Sequence, residues 1–469
     1  MGIETSFDSI QTVEDRVRGI KESLGSELRL IASANYAYPE VVEAIGGLAT
    51  NVYAEGSVAM RYVGGSEGYD KVELETIEHA KWLFGGDYAT VQPLSGALAN
   101  YVVFQALLNP GDRVLAMDLN AGGHLTHGAP FNLSGKTYDF AHYGVGVDGY
   151  IDYDQVADIA KEVKPKLIIA GSSSYPRIID VAAMKEIAEA HGSYLHFDAA
   201  HYAGLIAAGH YPSPMQNGAD TVSFSTYKTI RGPRGGCVVG TGDVAKRLER
   251  TVFPGIQSGP NEASICGIGV ALERSRTEEY REYIGATIDN ARATAAALAE
   301  RGYHVVTGGT DTHIVLIDLS KSDEAVQAVT GKDAEQKCAE VGVTVNKNLV
   351  DKDGRSAQVT SGIRLGLQAM TVRGMTSGDA EAIAGLVDGA IRETHGGRRQ
   401  RLAAQVLAFC QTHPIPTTGD HFSLRAPTIR DLVSHYYPGV HVPDNCGSPV
   451  YLKQESKHPE GWLRAVSNN

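Results

Sequence analysis

YLHFDAAHYAGLIAAGHYPSPMQNGADTVSFSTYKTIRGPRGGCVVG, residues 194–240, holds three short runs of apolar and small residues separated by turn-rich stretches. YLHFDAA 194–200, TVSFST 221–226 and GGCVVG 235–240 read as buried strands, and RVLAMD 113–118 and KLIIAG 166–171 add two more upstream. Between them LSGALANYVVFQALL 94–108 and VAAMKEIAEAHG 181–192 carry helical patterns. Apolar strands alternating with helices predict an α/β chain with a mostly parallel central sheet covered on both faces. Sheets of this kind bind ligands beyond the carboxyl ends of their strands.

From about residue 276 the pattern changes. RTEEYREYIGATIDNARATAAALAERG, 276–302, reads as a long amphipathic helix stopped by Gly302, followed by strand-like HIVLIDL 313–319 and SGIRLGL 361–367. The expected division is an N-terminal arm with helices over 1–50, a large domain over 51–275, a smaller α+β domain over 276–416 and an irregular extension over 417–469. His421, His435, His441, Asp444 and Cys446 in that extension have no regular ligand spacing, so no metal is expected there. A solvated or dimer-packing extension is the first reading, and a cover over the site the second.

The chain has 469 residues, 42 basic and 55 acidic, for a formal net charge of −13. That balance opposes a nucleic-acid partner, which needs a basic face. No apolar stretch reaches the roughly 18 residues of a membrane span. Glu4, Asp8, Glu14, Asp15 and Glu22 break up any secretory apolar region, and the five cysteines form no CxxC pair. The expected setting is the cytoplasm, with no membrane and no nucleic acid.

Lys228 follows a predicted strand beside the glycine-rich GPRGG, which makes it a candidate Schiff-base amine; by itself a strand-end lysine is usually a solvated end. Asp198 ends the preceding strand, thirty residues earlier, and suits pairing with a protonated pyridine nitrogen; its plain alternative is a turn cap. His201 reads as a group holding Asp198 or the ring, or as a core histidine. Ser95, Gly96 and Ala97 open a helix, and a helix N-terminus binds phosphate. No GxxxxGK loop is present, no GxGxxG follows a first strand, and His124 and His127 lack a carboxylate partner for a metal. A ring stacked on His124 is the better reading. Phosphate cup, aspartate and lysine come in the chain order of an aspartate-aminotransferase-like pyridoxal-phosphate enzyme of fold type I.

Eight segments make the resemblance specific: LIASANYAYPEV, TNVYAEGSVAMRYVGGSEGYDKVE, LFGGDYATVQPLSGALAN, GGHLTHGAPFNLSGK, FDAAHYAGLIAAG, YKTIRGPRGG, FPGIQSGP and SGIRLG. In this order, from about residue 10 to 416, the chain resembles the serine hydroxymethyltransferase family. The resemblance implies pyridoxal 5'-phosphate as cofactor, with Lys228 as its Schiff-base lysine, Asp198 on the pyridine nitrogen and His124 stacked on the ring. It further implies Ser95, Gly96, Ala97 and Ser225 at the phosphate, Ser173 and His201 beside the phenolic oxygen, and Arg364 with Ser33 on the substrate carboxylate. Tyr53 and Glu55 match residues that reach the neighbouring subunit's site, Ser258 and Gly259 match a partner-subunit phosphate contact, and Tyr62 matches a substrate contact. The implied assembly is a homodimer, with a tetramer left open, and the implied ligands are a small amino acid and an aldehyde. The implied chemistry is cleavage of a β-hydroxy amino acid at Cα–Cβ, with Glu55 or His124 as base, and addition of the glycyl unit to an aldehyde.

The chain also departs from the family pattern. Ala34 stands in ASANY where the family has a carboxylate, and Val63 in RYVGG where it has a second tyrosine. Tyr227 replaces the histidine before the lysine, Ala121 the first histidine of HGGH, and GLQA 366–369 the family's GTPA. Residues 346–354, NKNLVDKDG, differ from the segment that lines the folate site, although Tyr62, Asn346 and Asn348 remain. These changes favour a threonine transaldolase that needs no tetrahydrofolate. The alternatives are a serine hydroxymethyltransferase using tetrahydrofolate and a non-catalytic scaffold relative.

Overall fold

The computed structural model describes residues 13–416; the expected extension over 417–469, with its His421, His435, His441, Asp444 and Cys446, lies outside the described residues. One sheet has seven strands: β1 Tyr88–Thr90, β2 Arg113–Met117, β3 Asp139–Tyr143, β4 Leu167–Gly171, β5 Tyr194–Asp198, β6 Thr221–Ser225 and β7 Gly236–Gly240. Their spatial order is β1-β7-β6-β5-β4-β2-β3, and only β7 runs against the rest. Every residue of β4, β6 and β7 is buried. Successive strand residues feed opposite cores: Leu115 and Met117 lie with Phe84, Phe197 and Phe224, while Val114 and Ala116 lie with Phe104, Ile169 and Val238. This two-sided burial is why the strands read as unbroken apolar runs. Two strands escaped the sequence reading. β1 has only three residues, and edge strand β3 buries only Tyr143 fully, so neither shows a clear period.

The parallel direction puts the carboxyl ends of β2, β4, β5 and β6 on one edge. Asp198 is the last residue of β5, Ser225 the last of β6, and Gly171 the last of β4. Gly171 has φ +105°, and a Cβ there would lie 2.2 Å from the Asp198 carbonyl oxygen, so glycine alone lets these strand ends close up.

A second sheet contains β8 His304–Val305, β9 Ile314–Asp318, β10 Asn346–Asn348 and β11 Gly362–Gly366, antiparallel in the order β8-β9-β11-β10. Helix Glu278–Glu300 joins the two regions: Tyr280, Ile284 and Ile288 enter the first core, and Ala291, Ala295 and Leu298 enter the second. The N-terminal Leu28–Arg29 pairs in parallel with Val343–Thr344, so Leu28 and Leu30 also belong to the second core. We propose 51–275 and 276–416 as the two domains, with the arm stitched to the smaller one. Among the described residues no helix is long and apolar enough to cross a membrane.

Candidate active site

Asp198 is 3% exposed and fully engaged. Its Oδ2 accepts from Asn100 Nδ2 at 2.8 Å and faces His127 Nε2 at 3.0 Å, and its Oδ1 accepts the Ala200 N–H at 2.9 Å. His127 Nδ1 accepts the backbone N–H of His124 at 3.2 Å, so the ring proton sits on Nε2 and is donated to the carboxylate. Burial works to raise the Asp198 carboxyl. The hydrogen bonds from His127 and Asn100 outweigh it and hold the group well below the usual carboxylate range. The sequence reading missed Asn100 and His127 as the groups that hold Asp198 and offered His201 instead. His127 was visible in GGHLTHG, but its partner is 71 residues away.

His201 pairs elsewhere: its Nδ1 lies 3.5 Å from His313 Nε2, with the rings stacked at 15°. Burial, helped by the charges of Lys228 and Arg364, pushes His201 well below the usual histidine value, and burial takes His313 down to about 3. His124 Nδ1 meets the Thr126 hydroxyl at 2.8 Å and accepts the Thr126 N–H at 3.2 Å. The Thr126 oxygen already accepts from Asn100 Nδ2, so its own proton points to His124, whose Nε2 then carries the ring proton. Burial lowers His124 to about 4, which makes it neutral at pH 7.

Lys228 is 6% exposed and Arg364 9% exposed, and among the described residues neither has a carboxylate within ion-pair distance. Burial lowers Lys228 to about 7; the charges of Arg364 and Arg234 add to this, and Asp198 opposes it. Burial lowers Arg364 to about 10, so it stays protonated. Arg364 Nη1 donates to the Ser173 carbonyl at 2.6 Å and Nη2 to Asn346 Oδ1 at 3.1 Å, while its Nε is buried without a partner. Asn35, another residue the sequence reading missed, donates to the Lys228 carbonyl at 2.8 Å and to the Tyr283 hydroxyl at 2.9 Å.

Ser95 caps helix Gly96–Leu107 by accepting the Leu98 N–H at 3.1 Å, and Ser95, Gly96 and Ala97 remain partly open. A Cβ on Gly96 would lie 2.3 Å from Ser225 Oγ, so the glycine brings the end of β6 against the helix start. Gly96→Ala therefore displaces Ser225 or the first turn. The expected result is a loss of about 10- to 100-fold in affinity for the phosphorylated cofactor, read by equilibrium titration.

A second group lies on more exposed segments. Ser258 Oγ donates to Glu55 Oε1 and lies 3.4 Å from the Tyr53 hydroxyl, and a Cβ on Gly259 would meet the Tyr53 ring at 2.7 Å. The four residues singled out at 53, 55, 258 and 259 thus form one cluster. Tyr62 is 75% exposed, with its ring 5.4 Å from that of Phe253, and neighbouring Val63 is half-buried. Tyr227 lies under the Arg234 guanidinium at 4.5 Å.

These residues fit the group the sequence suggested. A phosphorylated aldehyde would bring anionic oxygens to the open helix N-terminus, a cationic ring nitrogen to ionised Asp198 and a carbonyl to the Lys228 amine, which burial leaves partly uncharged at neutral pH. A substrate carboxylate would supply the anion that Arg364 lacks, and its orphaned Nε is the mark of that need. Fold and site together define a pyridoxal-phosphate enzyme of fold type I. Residues 8–387 match the model of the family described as serine hydroxymethyltransferase. The serine hydroxymethyltransferase of Halorhodospira halophila (strain DSM 244 / SL1) is 45% identical over 392 residues, which cover 83% of this chain and 92% of that relative. The chain belongs to the serine hydroxymethyltransferase family and is a pyridoxal-phosphate-dependent transferase.

Proposed function

We propose that this enzyme cleaves L-threonine at Cα–Cβ, releases acetaldehyde and passes the glycyl unit to a second aldehyde without tetrahydrofolate. The observation that carries the aldol-type chemistry is the pair of buried, unpaired cations, Lys228 and Arg364. When bound, pyridoxal phosphate supplies an electron sink for the carbanion left at Cα. Lys228, near half-deprotonated at neutral pH, is the amine that would hold the cofactor through its carbonyl. Ser95, Gly96, Ala97 and Ser225 would hold the phosphate, and Ser173 and His201 would stand by the phenolic oxygen. Arg364, with Ser33, binds the substrate carboxylate and so orients the bond that breaks. The neutral His124, protonated on Nε2, is poorly suited to accept the β-hydroxyl proton, which favours Glu55 as the base.

Val63 supports the transaldolase reading because it puts no proton donor or acceptor where the family pattern has a tyrosine hydroxyl. Asn346 and Asn348 are engaged internally: Asn346 accepts from Arg364, and Asn348 donates to Ser174 Oγ at 3.2 Å and to the Leu349 carbonyl at 2.6 Å. The second reading, serine hydroxymethyl transfer to tetrahydrofolate, is favoured by the 45% identity to the Halorhodospira enzyme. A homodimer suits both readings: Leu48, Tyr53, Met60, Tyr62, Leu94 and Phe131 expose apolar surface on segments flanking the site. Ser258 and Gly259 would then serve the site of a second copy.

The deciding assay adds threonine alone, threonine with an aromatic aldehyde, and serine with tetrahydrofolate. The expected result is acetaldehyde release from threonine and a new β-hydroxy amino acid in the second arm, with no folate requirement. Turnover of serine only with tetrahydrofolate, and negligible acetaldehyde, would establish the second reading.

A further inference from the structure

The Ile31–Ala34 segment is a β-turn: the Ala34 N–H donates to the Ile31 carbonyl at 3.0 Å, with Ser33 at the third position. Gln368, completely buried, brackets that turn. Its Nε2 donates to the Ile31 carbonyl at 2.8 Å and to the Ala34 carbonyl at 2.6 Å, so both amide hydrogens are spent on the two ends of one turn. Two acceptors fix which end of the carboxamide is nitrogen, and Oε1 is left buried without a partner. An orphaned acceptor is unfavourable, so the arrangement persists because the two donors outweigh it.

The same residue is joined to both buried cations. Gln368 lies two positions beyond β11, the strand that carries Arg364, and a Cβ on Gly366 at the strand end would meet the Ala32 Cα at 2.2 Å. Its carbonyl accepts the Tyr283 hydroxyl at 3.4 Å, and Tyr283 in turn accepts from Asn35, which holds the Lys228 carbonyl. Gln368 and Ala34 are both points where the chain leaves the family pattern, and they meet at one hydrogen bond.

We propose that Gln368 is a positioning residue that locks the Ser33 turn against the Arg364 strand and thereby sets the affinity for the substrate carboxylate. This rests on the reading of Arg364 and Ser33 as the carboxylate site. Gln368 touches neither substrate nor cofactor; it acts through the turn.

The test is calorimetric binding of glycine to the cofactor-loaded enzyme, with threonine kinetics and thermal melting alongside. Gln368→Met keeps the length and removes both donors. Asn290→Ala is the matched control: Asn290 Nδ2 donates to Thr371 Oγ1 and to the Met375 carbonyl, both at 2.9 Å, so it loses two bonds of the same kind just past Gln368. Gln368→Met is expected to weaken glycine about 10-fold and to raise KM for threonine by a similar factor, with kcat changed less. Asn290→Ala is expected to lower Tm without weakening glycine. Equal glycine affinity in Gln368→Met and Asn290→Ala, while Arg364→Lys loses it, would overturn the inference alone. Unchanged glycine affinity in Arg364→Lys would overturn the carboxylate reading and the inference with it.

Discussion

Lys228→Met is expected to lower turnover by at least about 10,000-fold, the scale seen when a catalytic nucleophile is removed, and to stabilise the cofactor-free protein at pH 7. Both effects follow from burial. In the unfolded chain the amine has its ordinary value of about 10.4, whereas in the folded chain burial brings it to about 7. Between these values the unfolded state binds a proton that the folded state lacks, so stability rises with pH across the window. Below pH 7 both states are protonated and the full penalty, on the order of 4 kcal/mol, persists. The methionine variant carries no charge to desolvate. Its Tm is expected to exceed that of the parent at pH 7 and to converge on it towards pH 10. Melting curves at four pH values on cofactor-stripped protein check this; a parent Tm that falls steadily from pH 7 to 10 would contradict it.

Asp198→Asn is expected to cost about 100- to 1,000-fold in kcat while leaving the fold intact. The Asn oxygen can still accept from His127 Nε2 and Asn100 Nδ2. Its amide nitrogen then faces the Ala200 N–H, so one bond is lost and the others stay. What disappears is the fixed negative charge that would keep a pyridine nitrogen protonated. Asp198→Ala would add a loss of Tm, because it leaves the His127 and Asn100 donors buried without an acceptor. A kcat within about threefold of the parent for Asp198→Asn would show that its charge is not used.

Lys228 and Asp198 were legible because each ends or follows a run of sequence that reads as a buried strand, and a charged residue there demands a reason, whereas Arg364, in the middle of β11, was legible only through the resemblance carried by SGIRLG. The phosphate cup was legible as a helix start. The partners were not. Asn100 and His127 hold Asp198 across 98 and 71 residues, and Asn35 reaches Lys228 across 193. Gln368 looked like one more departure in GLQA, and only the turn it brackets gives it work. Edge strand β3 and the three-residue β1 were silent because partial burial leaves no period.

The sequence by itself determined the α/β architecture and the order of cup, aspartate and lysine, because strand burial and helix starts are local properties written in residue type and spacing, and its eight quoted segments carried the resemblance to the family. Tertiary structure alone decided which histidine serves Asp198, which nitrogen of His124 carries its proton, and how far Lys228 and Arg364 are desolvated. Those are properties of hydrogen-bond partners and of excluded water, and both are set only when segments distant in the chain close on one another.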